Sequence, residues 1–158
     1  MQLEQAIKKG ALWGALATLV MTLIMLTGMG TGVAPMPEPI PKALASLFLG
    51  MLIGSVAKPV VMITGMVAHF AYGAGAGVVF AYLFDENSNW KTGLLWGGIL
   101  WVIMQIAVLP IIGWGFFGLA ITGFPPKIAV GTFVLHLIYG GILGWGVAPT
   151  GTTPAEEV

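Results

Sequence analysis

The chain has no cysteine and no arginine, and only twelve charged residues among 158. The missing thiols exclude disulfides, thiolate metal sites and cysteine nucleophiles together. Six lysines against six acids give a formal net charge of zero. With no basic field to attract it, nucleic acid is excluded as a partner. Charged residues make up 8% of the chain, where a soluble domain carries roughly a quarter, and so few cannot clothe a water-facing surface. Neither a phosphate-binding loop nor a serine nucleophile motif is present. No carboxylate falls inside any long apolar run, which leaves no paired acid and base and no hard-metal cage. The chain is therefore not expected to be an enzyme.

What fills the chain is apolar: 58% hydrophobic residues, with surpluses of 24 glycines and nine methionines. Uncharged intervals run over 10–37, 59–84, 92–126 and 128–155, each longer than the roughly 20 residues that cross a bilayer core. They lack the alternating pattern of a membrane barrel, so helices are the remaining way to satisfy backbone groups in lipid. The predicted spans are 10–31, 60–84, 92–112 and 128–148. Lys8 and Lys9 before the first run imitate a signal peptide. The run from Gly10 to Thr27 is longer than the roughly 7–15 residues of a signal core, and no A-x-A pattern follows, so a retained helix is expected.

Four prolines at 35, 37, 39 and 41 stop the first helix and favour an extended segment. Residues 42–57 are apolar but too short to span, and read as an interfacial or re-entrant helix. Lys58-Pro59 begins the second span, 85–91 is a polar connection, and 149–158 is a polar tail expected to be flexible.

The sequence repeats itself. Lys9-Gly10-Ala11-Leu12-Trp13-Gly14 is echoed by Lys91-Thr92-Gly93-Leu94-Leu95-Trp96-Gly97 at an offset of 83 from Trp13 to Trp96. His69-Phe70-Ala71-Tyr72-Gly73 through Gly77 is echoed by His136-Leu137-Ile138-Tyr139-Gly140 through Gly144, an H-x-x-Y-G-x-x-x-G pattern at an offset of 67. The difference of 16 is about the length of the 42–57 segment. The expected fold is thus all-α, a polytopic membrane four-helix bundle made of two tandem hairpins, 1–84 with an insertion and 85–148 without. Two spans per copy make the repeat parallel, about an axis along the membrane normal. Both termini and the 85–91 loop then share one side, with Trp13, Trp90, Trp96 and Trp145 at that interface and Trp114, Phe116, Phe117 and Phe124 at the other. Three lysines on each side leave the positive-inside rule tied, and the termini are assigned to the inside.

This order of features resembles a family of small prokaryotic four-helix integral membrane proteins of unknown function, over most of residues 9–148. The resemblance implies the fold and a prokaryotic cytoplasmic membrane, and it transfers no catalytic residue.

The two histidines fall at matched positions near mid-bilayer, where a polar ring is costly and needs a partner. On each helix His, Gly at i+4 and Gly at i+8 share a face, namely His69, Gly73 and Gly77, and His136, Gly140 and Gly144. One reading is a b-type haem held by His69 and His136, with the glycines giving the porphyrin room. The other is close helix packing through G-x-x-x-G faces, each histidine bonded as a neutral group. Met21, Met25 and Met29 recur every four residues and could pass a soft cation such as Cu(I), though methionine is also a packing residue. Thr22 and Gln105 are equivalent polar positions that glue helices or line a cavity, and Pro110 is expected to kink the third span. Three functions follow as expectations. First comes a non-catalytic accessory subunit of a larger membrane complex, respiratory or other redox assemblies included, held by bound lipids and by partner subunits or self-association through glycine-rich faces. The alternatives are a haem b electron-transfer subunit and a small metal-ion or solute transporter.

Overall fold

A computed structural model of the chain describes residues 3–149, so the polar tail lies, but for Pro149, outside the described residues. All regular structure among them is helical. Helix α1 covers Leu3–Gly30. It starts seven residues before the expected span because its first turns are a water-side extension, with Glu4 and Lys8 paired at 2.5 Å on consecutive turns, both exposed. Pro39 and Pro41 bracket the start of α2, Ile40–Ile53, and Gly54 ends it at φ 77, a left-handed value that glycine adopts freely. Helix α3 covers Lys58–Phe84 and runs into a 3₁₀ turn at Asp85–Asn87.

The third span, α4, covers Trp90–Ile111. Asn89 caps it: its side chain accepts from the amides of Lys91 and Thr92, while its own amide donates to the Thr92 hydroxyl at 3.0 Å. Pro110 has no N–H and crowds the carbonyl a turn earlier. The helix absorbs this in one wide π turn at Met104–Val108, closed by the Leu109 amide on the Met104 carbonyl. A 3₁₀ turn at Phe116–Gly118 and the short α5, Leu119–Thr122, lead to α6, Lys127–Val147. Four helices, α1, α3, α4 and α6, are long and apolar enough to cross a membrane, and the chain is a membrane protein.

Helix α1 lies antiparallel on α3 with backbone against backbone. A Cβ at Gly10 would meet the Gly77 carbonyl, and one at Gly14 the Gly73 carbonyl. Helix α4 lies on α6 in the same manner, Gly93 against Gly140 and Gly144, and Gly97 against the His136 carbonyl. In lipid, where tails are as apolar as leucine, such close approach is what holds helices together. The first of two cores joins all four spans through Met21, Met25, Ala76, Phe80, Leu100, Leu135, Tyr139 and Leu143. Phe80, Phe84 and Trp96 stack where α3 meets α4, with ring centroids 4.8–6.4 Å apart. The start of α1 and the end of α6 meet at the same end, Trp13 edge-on to Trp145 at 5.5 Å.

The second core sits at the opposite end. There Ile40 and Ala43 of α2 pack with Met104, Leu109, Trp114 and Ile128. Trp114 is therefore a core residue, 6% exposed, and not part of the interfacial belt expected of it. The loop after α4 folds its indole inward over Ile128, while Phe116 and Phe124 stay outside. The backbone of Pro41 and Lys42 rests on Gly65, seven residues and about 10 Å into α3 at 1.5 Å per residue. The chain thus leaves α1, turns back alongside the bundle, and returns through α2.

Candidate functional site

Polar side chains inside the spans gather at one depth. Thr18 lies against Gly73, so Thr22, one turn further along α1, comes level with His69, one turn back along antiparallel α3. The Trp13–Trp145 contact sets the register of α1 on α6. Nine residues on from Trp13 is Thr22, and nine back from Trp145 is His136. From α4, the Gln105 amide donates to the Thr132 hydroxyl at 3.1 Å. Thr132, His136, Thr22, His69 and Gln105 therefore lie within about a helical turn of a common level, some 5 Å.

The bonding within this layer is uneven. The Thr132 hydroxyl donates to the Ile128 carbonyl at 2.7 Å, and His136 Nδ1 donates to the Thr132 carbonyl at 2.8 Å, which fixes the proton on Nδ1 because a carbonyl only accepts. Gln105 is fully buried, in the π turn, and its Oε1 has no partner among the described residues. Thr22 Oγ1 and His69 Nε2 are likewise buried without a partner. Thr18, by contrast, is satisfied by the Gly14 carbonyl at 2.8 Å. Leaving such groups unpaired in a low-dielectric interior costs roughly 1–3 kcal/mol each.

The two histidines expected at matched positions sit in different surroundings. His136 is 6% exposed and bonded, whereas His69 is half-buried beside Phe70 and unpartnered. Their motif tyrosines diverge further: Tyr139 is buried, and its hydroxyl donates to the Gly73 carbonyl at 2.6 Å, while Tyr72 is 54% exposed.

The glycine faces beside the two histidines are covered by neighbouring helices. Gly73 is covered by Thr18, Gly77 by Gly10 and Gly14, Gly140 by Gly93 and Gly97, and Gly144 by Asn89 and Gly93. The Thr18 side chain at Gly73 and neighbouring helix backbone at the other three fill the glycine faces, and Tyr139 closes α6 onto α3. These residues do not fit a haem. Met21 and Met25 are buried in the first core, with Met29 and Met36 packed against it, so the methionine series acts here as core packing.

Four participants were not singled out from the sequence. Thr132 lies one turn before His136, a polar residue at i−4 that could have been paired with it. Tyr139 was within the motif but was read as pattern. Glu38 and Lys42, spaced i, i+4 among the prolines, form an ion pair at 2.7 Å that is only about a third exposed. Compared with protein-family models, curated proteins and solved structures, the chain matches none.

Proposed function

We propose that the protein is a non-catalytic subunit of a larger assembly in a prokaryotic cytoplasmic membrane, and that the outer face of α3 is where a partner helix docks. The observation that carries this is Tyr72. It sits fourteen residues from Lys58, about 21 Å along the helix, with its ring 54% exposed and no hydrogen-bond partner for its hydroxyl among the described residues. Lipid tails cannot satisfy that hydroxyl, and it is too deep to reach the headgroups. Thr64, Ala68, Ala71 and Gly75 share its face and are exposed with it. A Cβ at Gly75 would meet nothing within 4 Å, which leaves room for a second backbone to approach in the small-residue mode of membrane helix pairs.

Elsewhere the outer surface suits lipid. A groove of about 490 Å³ between α4 and α6, lined by Leu94, Gly98, Trp101, Val102, Phe133 and Leu137, is apolar throughout and takes an acyl chain.

The tandem-hairpin reading belongs to the same proposal. Gly10 and Gly14 on α3 have counterparts in Gly93 and Gly97 on α6, which supports two copies of one hairpin. The copies are slipped by a turn: Gly14 meets Gly73 and Gly77, whereas Gly97 meets His136 and Gly140. The position matching Thr132 in the first copy is Gly65, where the α2 backbone rests.

Native mass spectrometry of the chain extracted in mild detergent tests the subunit reading. The expected result is a complex that Gly75→Leu dissociates while the helical content is kept. A wild-type chain that runs as a lone monomer overturns it.

A further inference from the structure

The two halves of the bundle are built differently about the polar layer. On the side of the α1 start, glycine backbones touch at Gly10, Gly77, Gly93 and Gly144, and Phe80 and Leu143 are fully buried between them. That half is closely packed, with Ser88 Oγ and Trp96 Nε1 buried there without a partner among the described residues. On the other side the backbone is irregular: an extended proline segment, the π turn of α4, and the loop between Ile111 and Phe116. Non-helical backbone at membrane depth is tolerated only where protein buries it or where it lines a water-filled space.

The Glu38–Lys42 pair lies on this irregular side, at the first turn of α2. Gly65, on which that turn rests, is one helical turn from His69. The backbone that carries Lys42 therefore lies about one turn from His69, whose Nε2 is buried without a partner among the described residues, as are Thr22 Oγ1 and Gln105 Oε1 of the same layer. Gln105 is completely buried and Thr22 is 5% exposed. Polar atoms in that state are met by buried water where two to four of them converge.

We propose that the mid-membrane layer of Thr22, His69, Gln105 and Thr132 is a water-binding site, entered from the α2 side past Glu38 and Lys42 and sealed on the opposite side. Water donates to Gln105 Oε1 and exchanges hydrogen bonds with the Thr22 hydroxyl and His69 Nε2. The wide π turn places Gln105 where it holds both this water and Thr132.

The absence of native cysteine makes the site readable by single-cysteine reactivity in oriented vesicles. Silver ion, small and aqueous, is the probe. Ser55→Cys marks the α2 side and Lys91→Cys the other. Thr22→Cys and Thr132→Cys are nearly isosteric, and Ala17→Cys reports the closely packed half, since Ala17 is fully buried. The expected result is silver modification of both layer thiols from the α2 side about tenfold faster than from the other side, because thiol reactivity follows access, with Ala17→Cys inert from both. Layer thiols as inert as Ala17→Cys overturn the hydrated site, and equal rates from both sides overturn the seal. Should one layer variant fail to fold, the other decides alone.

Discussion

The Tyr139 hydroxyl donates to the Gly73 carbonyl at 2.6 Å, fastening α6 to α3 across 66 residues of sequence. Gly73 permits this because it has no side chain of its own between α1 and α3, whose space Thr18 occupies. Tyr139→Phe is expected to cost about 1 kcal/mol, as single hydrogen bonds between membrane helices do. Tyr72→Phe leaves the isolated chain unchanged. Reversible unfolding in bicelles distinguishes the two.

Glycine positions separate into those that touch backbone and those that face open space. Gly14→Ala and Gly97→Ala push a methyl into a carbonyl on the facing helix, and each is expected to lose about 1–3 kcal/mol, the usual cost of overpacking. A Cβ at Gly98 meets nothing within 4 Å, so Gly98→Ala should be neutral or slightly stabilising, within about 0.5 kcal/mol. Thermal aggregation in one detergent, compared across the three variants, checks the ordering.

The cap on α4 is a local device with a measurable value. Asn89→Ala removes the acceptor for two amides and half of the reciprocal pair with Thr92, and is expected to cost about 1 kcal/mol. The same thermal assay reads it.

Gln105→Leu keeps the volume and strands no donor, because the Thr132 hydroxyl still donates to the Ile128 carbonyl. Stability should move by less than about 1 kcal/mol. In the hydrated layer, however, the water loses its acceptor, and silver modification of a thiol at position 22 should slow several-fold in the Gln105→Leu background. An unchanged rate would show that Gln105 takes no part in holding it.

Hydropathy and charge placed the spans well because the physics there is one-dimensional. Lys58 and Lys127 open α3 and α6 as the uncharged intervals required, and Pro39, Pro41 and Gly54 bound α2 within a few residues of the expected segment. What a helix faces depends on partners far away in sequence, which the pattern within one helix does not show. Gly73 and Gly140 suit either a groove or a packing face, since nothing in their own helices says that α1 and α4 fill the space. His69 and His136 carry the same motif, yet the α2 insertion and the one-turn slip give them unequal surroundings. Trp114 looked interfacial until the loop turned it inward. Glu38 and Lys42 lay outside every apolar run, and only the return of the chain along Gly65 brings them beside the bundle. Thr22 and Gln105, chosen because polar residues in spans need a reason, did prove to be buried.

The central claim is that the α3 face around Tyr72 meets another protein. A photo-crosslinking residue at position 68 or 75 on that face, compared with one at position 130 or 134 on the exposed face of α6, tests it most directly in native membranes. The account predicts a discrete protein adduct from 68 and 75 that Tyr72→Phe weakens, and only lipid adducts from 130 and 134. Lipid adducts alone from every position would contradict it.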